Sequence, residues 1–132
     1  TDALRKCPFL HMDPPDHELY RQYSRRLMDF LHTYTSEIEQ VSVDECYLDF
    51  TGIAGQFPSP VEAAFEMKDR IKELFGFTVN IGISCNKLLA KMASDFQKPD
   101  RIHTFFPRKS GTRCGPCPYR SFTWQGVPAW RP

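Results

Sequence analysis

The sequence predicts a small α+β domain, in which helices cover one face of a β-sheet. Apolar residues recur at three- and four-residue steps from Tyr20 to Tyr34, the spacing of an amphipathic helix. Between Val79 and Ser84 they alternate with polar or small residues, the spacing of a strand. The chain has 132 residues, of which 41% are hydrophobic. This size and composition suit one domain with a core of its own.

The predicted order of elements is strand, helix, hairpin, helix, strand, helix and strand, and no internal repeat is present. Ser59 to Glu62 form a capping box with proline at the first helical position, so a helix starts there and should stop at Gly76. Asn86 can cap a further helix that Pro99 ends. The first strand is expected over residues 5–12 and the last over residues 102–106. The predicted inner faces of the last two helices are Val61, Ala64, Phe65, Ile71, Leu74 and Phe75, then Leu88, Leu89, Met92, Ala93 and Phe96.

The segment from Val41 to Phe50 predicts a hairpin, within residues 37–51, that carries two adjacent carboxylates. Period-two patterns flank Asp44 and Glu45 on both sides, which is typical of two strands joined by a bend. Neighbouring carboxylates repel each other unless a cation lies between them. Mg²⁺ prefers oxygen ligands of this kind, usually together with substrate phosphates. A metal site is one interpretation, and a solvated acidic turn is the other.

A second segment, from Gly82 to Asp100, predicts a site for anions. Lys87 and Lys91 lie one turn apart on their helix. Lys98 precedes a proline, which favours an extended backbone and could project its side chain away from the helix. Free backbone amides at the start of a helix also attract anions. An ordinary amphipathic helix with solvated lysines explains the same pattern.

Charge is distributed unevenly along the chain. Five basic and no acidic residues follow from Arg108 onward, which leaves 12 basic and 16 acidic residues before it, a net charge of −4. Composition therefore gives no support to nucleic-acid binding, and any such function must rest on local motifs. Residues 108–132 lack apolar periodicity and are rich in Pro, Gly and Arg, so they are interpreted as an irregular tail.

The cysteines and apolar runs indicate a soluble, cytoplasmic protein. Five cysteines are an odd number, which favours a reducing compartment over a disulfide framework. No apolar run approaches the length of a membrane span, and no signal-peptide pattern is present. Cys114 and Cys117 form a Cys-Gly-Pro-Cys motif, but the strand and helix of a redox site and a second zinc-binding pair are missing around it. A non-enzymatic redox or zinc-binding module remains an alternative.

Two motifs together resemble the Y-family DNA polymerases, and among them the bacterial DNA polymerase IV (DinB-like) group. They are Ser42-Val43-Asp44-Glu45-Cys46-Tyr47-Leu48-Asp49 and, about 35 residues on, Gly82-Ile83-Ser84 through Lys98-Pro99-Asp100. The resemblance covers about residues 3–107. It implies a ferredoxin-like polymerase palm with a mainly antiparallel sheet over residues 1–107, followed by a tail, residues 108–132, that is truncated or read out of frame.

The resemblance implies the roles of individual residues. Asp44 and Glu45 match the family's catalytic carboxylates, which bind two Mg²⁺ ions. Lys98 matches the lysine that contacts the incoming triphosphate, and Lys87 is expected near phosphate. Asp49 is assigned a structural role. The implied activity is template-directed DNA synthesis, a nucleotidyl transfer from a deoxynucleoside triphosphate to the primer 3′-hydroxyl, in error-prone translesion synthesis and DNA repair.

The resemblance also predicts binding partners, and it predicts that parts of the active site are missing from this chain. Primer-template DNA and nucleotide are the expected partners of a monomeric full-length protein, with the sliding clamp a further partner through C-terminal regions and no role for a membrane. We expect this chain to be an inactive fragment without the first metal carboxylate, the ribose-sensing aromatic and most of the fingers, and Arg101 replaces an expected glycine. Another two-metal palm enzyme, such as a nucleotide cyclase, is an alternative function.

Overall fold

The structure is a computed structural model that describes residues 2–106 and the backbone of residues 121–127. The helices are α1 (Asp2–Lys6), α2 (His17–Leu31), α3 (Pro60–Phe75) and α4 (Lys87–Phe96), with a short 3-10 helix at Ala54–Gln56. The strands are β1 (Ile38–Gln40), β2 (Glu45–Leu48), β3 (Thr78–Ser84), β4 (Ile102–Phe105) and β5 (Ser121–Val127). No helix within these described ranges is both long and apolar enough to cross a membrane.

The five strands form one sheet in the order β1-β2-β5-β3-β4. Only β3 and β4 pair in parallel, and the other three neighbouring pairs are antiparallel. The predicted α+β class with a mainly antiparallel sheet is therefore confirmed. The strand predicted over residues 5–12 is wrong, because α1 and an exposed segment without ladder pairing occupy this stretch. Pro8 lies in its middle and cannot donate a backbone hydrogen bond to a neighbouring strand.

Strand β5 corrects the prediction of an irregular tail for residues 121–127. Its backbone pairs with β2 on one side and with β3 on the other, so it lies inside the sheet. The sequence of β5 alternates Phe122 and Trp124 with Ser121, Thr123 and Gln125, and aromatic and β-branched residues favour strands. The many Pro, Gly and Arg residues around it masked this short pattern. The rest of the predicted tail, including Cys114 and Cys117, lies outside the described residues.

Helices α2 and α3 cover one face of the sheet. Local signals set their ends, since Asp16 caps α2, Ser59 accepts a hydrogen bond from the Glu62 amide at the start of α3, and α3 ends at Gly76 in the left-handed conformation. The predicted start of α3, with Ser59 as its N-terminal cap, is thereby confirmed. The largest fully buried apolar side chains between these helices and the sheet are Leu31, Phe50, Met67, Ile71, Val79, Ile81 and Ile83.

Helix α4 is the exception to the prediction that the helices share one face. Ile81 and Ile83 point into the core beneath α2 and α3, so Gly82 between them faces the opposite side. A Cβ atom built on Gly82 would overlap the carbonyl oxygen of Ala90 and lie 2.5 Å from the amide nitrogen of Ser94. The backbone of α4 thus rests directly on β3, which is why β3 is buried on both faces.

This close approach also changes which side of α4 is buried. Small residues face the sheet, whereas three side chains of the predicted inner face are exposed. Helix α3 differs similarly, because two side chains of its predicted inner face lie at the surface and Met67 is buried instead. The wrongly predicted positions are Leu88, Met92 and Phe96 in α4 and Phe65 and Leu74 in α3.

Replacing Gly82 by Ala should lower the free energy of unfolding by about 3 kcal/mol, since overpacking against rigid backbone forces α4 away from the sheet. Gly55→Ala is the matched control, because no atom lies within 4 Å of the added Cβ there, and its effect should stay within about 0.5 kcal/mol. Urea denaturation of both variants measures the difference. Equal midpoints for the two variants would contradict the close packing of α4 on β3.

Candidate active site

The two carboxylates lie at the bend between β1 and β2, as predicted. Strand β1 ends at Gln40, and the amides of Val41 and Ser42 donate to the carbonyl oxygen of Glu45 at 2.9 and 3.1 Å. Asp44 is exposed in the bend, and Glu45 is the first residue of β2. The bend begins earlier than predicted, so Val41 belongs to it, exposed, rather than to a strand.

Hydrogen bonds within the bend orient the carboxylate of Asp44. The hydroxyl of Ser42 donates to Asp44 Oδ1 at 2.7 Å, and the amide of Asp44 in turn points at that hydroxyl at 3.4 Å. Gln40 donates from its side-chain amide to the carbonyl oxygen of Ser42 at 3.0 Å. The bend is therefore stabilised by its own polar side chains, and Asp44 is an exposed residue.

The alternation of β2 decides which side of the sheet Glu45 faces. Cys46, Leu48 and Phe50 are buried in the core beneath α2 and α3, which confirms that they share a face. Glu45 and Tyr47 consequently face the opposite side, where α4 lies. The close packing of α4 on Gly82 brings the helix within reach of both residues.

Lys91, on α4, forms an ion pair with Glu45. Its Nζ lies 2.9 Å from Glu45 Oε1, and the two side chains are only 28% and 17% exposed. The same ammonium group lies 3.7 Å from Asp95 Oδ2, one helical turn further on. An ion pair shielded from water to this degree is screened less than one at the open surface. The ammonium group of Lys91 is thus a direct partner of the predicted metal carboxylate.

Lys98 is held against the end of α4 by Asp95. Its Nζ lies 2.7 Å from Asp95 Oδ1, and this hydrogen bond is the main cause that lowers the pKa of Asp95. The four side chains Glu45, Lys91, Asp95 and Lys98 therefore form one row of alternating charge, which we call the charge row. The row joins a predicted metal carboxylate to the predicted triphosphate-binding lysine, two residues that are far apart in sequence.

Lys87 lies beside the charge row and has other partners. Its ammonium group pairs with the carboxylate of Glu39 on β1. It also lies 5.6 Å from the ring centroid of Tyr47, a cation–π contact. The structure therefore brings Glu45 and Lys98 into one row, whereas Lys87, on the same helix as Lys91, pairs with Glu39 of β1 instead.

A partly buried ion pair fixes the chain just after Lys98. Asp100, in the left-handed conformation with φ 58°, accepts hydrogen bonds from Lys68 at 2.9 Å and Lys72 at 3.4 Å. Burial alone would lower the pKa of Lys68, but its hydrogen bonds with Asp100 and Asp69 outweigh burial, and the pKa of Lys68 lies above its usual value. The amide of Arg101 donates to Asn80 on β3. Two elements of the fold thus hold the segment that follows Lys98.

Three comparisons with known proteins bear on this arrangement. A sequence profile described as the impB/mucB/samB family matches residues 1–95. The chain belongs to this family. It is 44% identical over 116 residues to a DNA polymerase IV of Clostridium acetobutylicum, and 42% identical over 127 residues to a DNA polymerase IV of Alkaliphilus oremlandii. These matches cover 88% and 96% of the chain but only 29% and 32% of those proteins.

Solved structures of Y-family DNA polymerases have a similar fold. A Y-family DNA polymerase chimera superposes with a TM-score of 0.75 at 34% identity, and DinB from Sulfolobus solfataricus with a TM-score of 0.73 at 33% identity. Each comparison covers 80% of this chain and 31% of the solved chain. The chain thus spans about a third of the length of its relatives, and its palm-like α+β fold agrees with theirs.

The carboxylates of this family member fit part of a metal site. Among the residues that the structure describes, no group of three or more His, Cys, Asp or Glu side chains could hold a metal ion. Asp44 and Glu45 supply two hard oxygen donors, which suits a divalent ion whose remaining ligands are water and substrate phosphate. Asp49 instead accepts a hydrogen bond from the amide of Thr51, in keeping with a structural role.

Sequence reasoning named Lys91 as a candidate anion-binding residue, but it missed Asp95 and the pairing of Lys91 with Glu45. For Asp95 the spacing contains a signal, because Lys91 lies four residues before it on the same helix and Lys98 follows three residues after it, just beyond the helix end. The contact between Lys91 and Glu45 has no such local signal, since it depends on how closely α4 packs on the sheet.

Proposed function

We propose that this chain is the catalytic part of the palm of a Y-family DNA polymerase of the DNA polymerase IV type. The proposed activity of the intact enzyme is template-directed transfer of a nucleotide to the primer 3′-hydroxyl during translesion synthesis and DNA repair. The observation that supports it most directly is the charge row, which connects Glu45 to Lys98 in a chain that belongs to the impB/mucB/samB family.

Each residue has a task that follows from its position. Asp44 and Glu45 would hold Mg²⁺ with oxygen ligands, and bound Mg²⁺ supplies charge neutralisation for the triphosphate and activation of the primer hydroxyl. Lys98, kept near the end of α4 by Asp95, would contact the triphosphate with its ammonium group. Lys87, which pairs with Glu39, would contribute only through its positive charge near bound phosphate.

The partners follow from the same proposal. The intact enzyme would bind primer-template DNA and a deoxynucleoside triphosphate in the cytoplasm, act as a monomer and reach the sliding clamp through C-terminal regions. One solved relative is an insertion ternary complex of a DNA polymerase, with a TM-score of 0.75 at 34% identity. A nucleotide cyclase would use paired carboxylates too, but no contact in the described residues favours that alternative over DNA synthesis.

A chimera tests this function. Residues 1–106 of this chain replace the matching segment of the Clostridium acetobutylicum DNA polymerase IV, and primer extension with Mg²⁺ is measured. The chimera should extend primers, whereas the 132-residue chain alone should not. Failure of a folded chimera to extend any primer, or formation of a cyclic nucleotide instead, would contradict the proposed polymerase.

Lys98→Ala in this chimera should raise the KM for the incoming nucleotide by about tenfold, because a charge-assisted contact with the triphosphate contributes roughly 1.5–3 kcal/mol. Binding of primer-template DNA should stay nearly unchanged. Lys6→Ala, an exposed lysine on α1, is the matched control and should leave both quantities unchanged. An unchanged nucleotide KM in the Lys98 variant would remove Lys98 from the site.

A further inference from the structure

Lys91 occupies an unexpected position for a residue to which the family resemblance assigned no role. Its ammonium group lies 2.9 Å from an oxygen of Glu45, on the side of β2 that α4 covers. A carboxylate that is to hold a divalent ion therefore already has a protein cation beside it. The two cations compete for the same negative charge, since each lowers the electrostatic attraction for the other.

We propose that Lys91 is the counter-cation of Glu45 until a divalent ion binds, and that Asp95 receives Lys91 when the ion displaces it. This inference rests on the proposed metal site at Asp44 and Glu45. In it, Lys91 and Asp95 are positioning residues that keep Glu45 and Lys98 oriented and link the two ends of the charge row.

The position of Asp95 allows its carboxylate to form an ion pair with Lys91 once Lys91 leaves Glu45. Its Oδ2 atom lies 3.7 Å from Lys91 Nζ, just beyond a hydrogen bond, so a small rotation of the lysine side chain would close the contact. Its other oxygen, Oδ1, already accepts Lys98 at 2.7 Å. One carboxylate would then neutralise both lysines, which weakens its hold on Lys98 and favours the contact of Lys98 with a triphosphate. Metal binding and triphosphate binding would thus support each other.

Substitution of Lys87 is the matched control for substitution of Lys91. Both lysines lie on α4 one turn apart, and both pair with a carboxylate of the hairpin. Lys87 pairs with Glu39 on β1, whereas Lys91 pairs with Glu45. The two substitutions remove the same charge from the same helix, so a difference between their effects reports contact with Glu45 rather than the net charge of the chain.

The experiment measures Mn²⁺ binding to the 132-residue chain by electron paramagnetic resonance of the free ion. Lys91→Met should tighten binding by about fivefold, the scale of removing one competing, partly exposed ion pair. Lys87→Met should change the affinity by less than about twofold, because its partner is not the metal carboxylate. Lys91→Gln is a second variant that keeps a polar side chain and should also tighten binding. Damage to the fold would weaken Mn²⁺ binding. Tighter binding by a Lys91 variant therefore indicates that Lys91 competes with the ion for Glu45.

Asp95→Asn tests the receiving residue. The substitution should weaken Mn²⁺ binding more in the chain that contains Lys91 than in the Lys91→Met chain. Only a chain with Lys91 needs a carboxylate to pair with the displaced lysine. Equal effects in the two backgrounds would overturn the role of Asp95. Unchanged or weaker binding in both Lys91 variants would overturn the role of Lys91.

One further variant separates the failure of this inference from the failure of the proposed function. Glu45→Gln should weaken Mn²⁺ binding. If it does so while the Lys91 variants show no gain, the metal site stands and the competition is wrong. If Glu45→Gln leaves binding unchanged, the metal site itself is wrong and the inference falls with it.

Discussion

Glu45→Gln in the polymerase chimera is expected to reduce the rate of primer extension by about 10²- to 10³-fold. The barrier to phosphoryl transfer comes mainly from unshielded charge on the triphosphate and the attacking oxygen, and loss of one group that stabilises such charge typically has an effect of this size. Gln keeps the shape of the side chain but removes the negative charge that Mg²⁺ needs. Single-turnover extension with saturating nucleotide measures the chemical step.

Glu39→Gln is the matched control for this experiment. Glu39 lies on the same hairpin and also pairs with a lysine of α4, but it belongs to β1 rather than to the proposed metal site. Its substitution should change the rate by less than about threefold, because exposed ion pairs contribute little. Robust extension by the Glu45→Gln chimera, or equal losses in the two variants, would contradict the catalytic role of Glu45.

Removal of β5 is expected to abolish cooperative folding of the isolated chain. Strand β5 pairs with both β2 and β3, so a chain that ends at residue 120 loses the ladders on both sides and splits the sheet. A backbone hydrogen bond contributes about 1 kcal/mol, and small domains are stable by only about 5–15 kcal/mol. The loss of two ladders is therefore comparable with the whole stability. Circular dichroism during urea denaturation and size-exclusion chromatography would report the unfolded or aggregated product.

A chain that ends at Val127 is the control, since it retains all of β5. Its unfolding midpoint should equal that of the full chain. A cooperative transition at the same midpoint in the chain ending at residue 120 would show that β5 adds nothing to the sheet. The polymerase chimera lacks this tail, so its folding requires the Clostridium acetobutylicum segments to fill the position of β5 between β2 and β3.

Elements with strong local signals could be predicted from the sequence. The cap at Ser59, the stop at Gly76 and the cap at Asn86 each depend on residues a few positions apart, and all three lie where expected. The buried side of α4 could not be predicted, because the contact with Gly82 replaces an apolar inner face by a small-residue one. Strand β5 has an alternating pattern only a few residues long, surrounded by turn-forming residues.

The candidate site also has features that local sequence patterns predict and others that depend on long-range packing. The positions of Asp44 and Glu45 at a hairpin bend follow from the alternation on either side of them, and the structure agrees. The ion pair of Glu45 with Lys91 depends on packing between distant parts of the chain, which no local pattern encodes. The participation of Asp44 and Glu45 in metal binding stays a prediction that the experiments above can test.

The burial of Cys46 has a consequence for the chemical reactivity of the chain. Cys46 is next to Glu45 but points into the core, and burial, aided by the negative charge of Glu45, raises the pKa of its thiol to about 12. Thiolate is the nucleophile in alkylation, so this thiol is inert at neutral pH while β2 stays in place. Cys7, in contrast, is exposed and open to reagents. Modification of Cys46 would therefore require local opening of the strand that carries Glu45, so its rate of labelling reports how rigidly the hairpin is held.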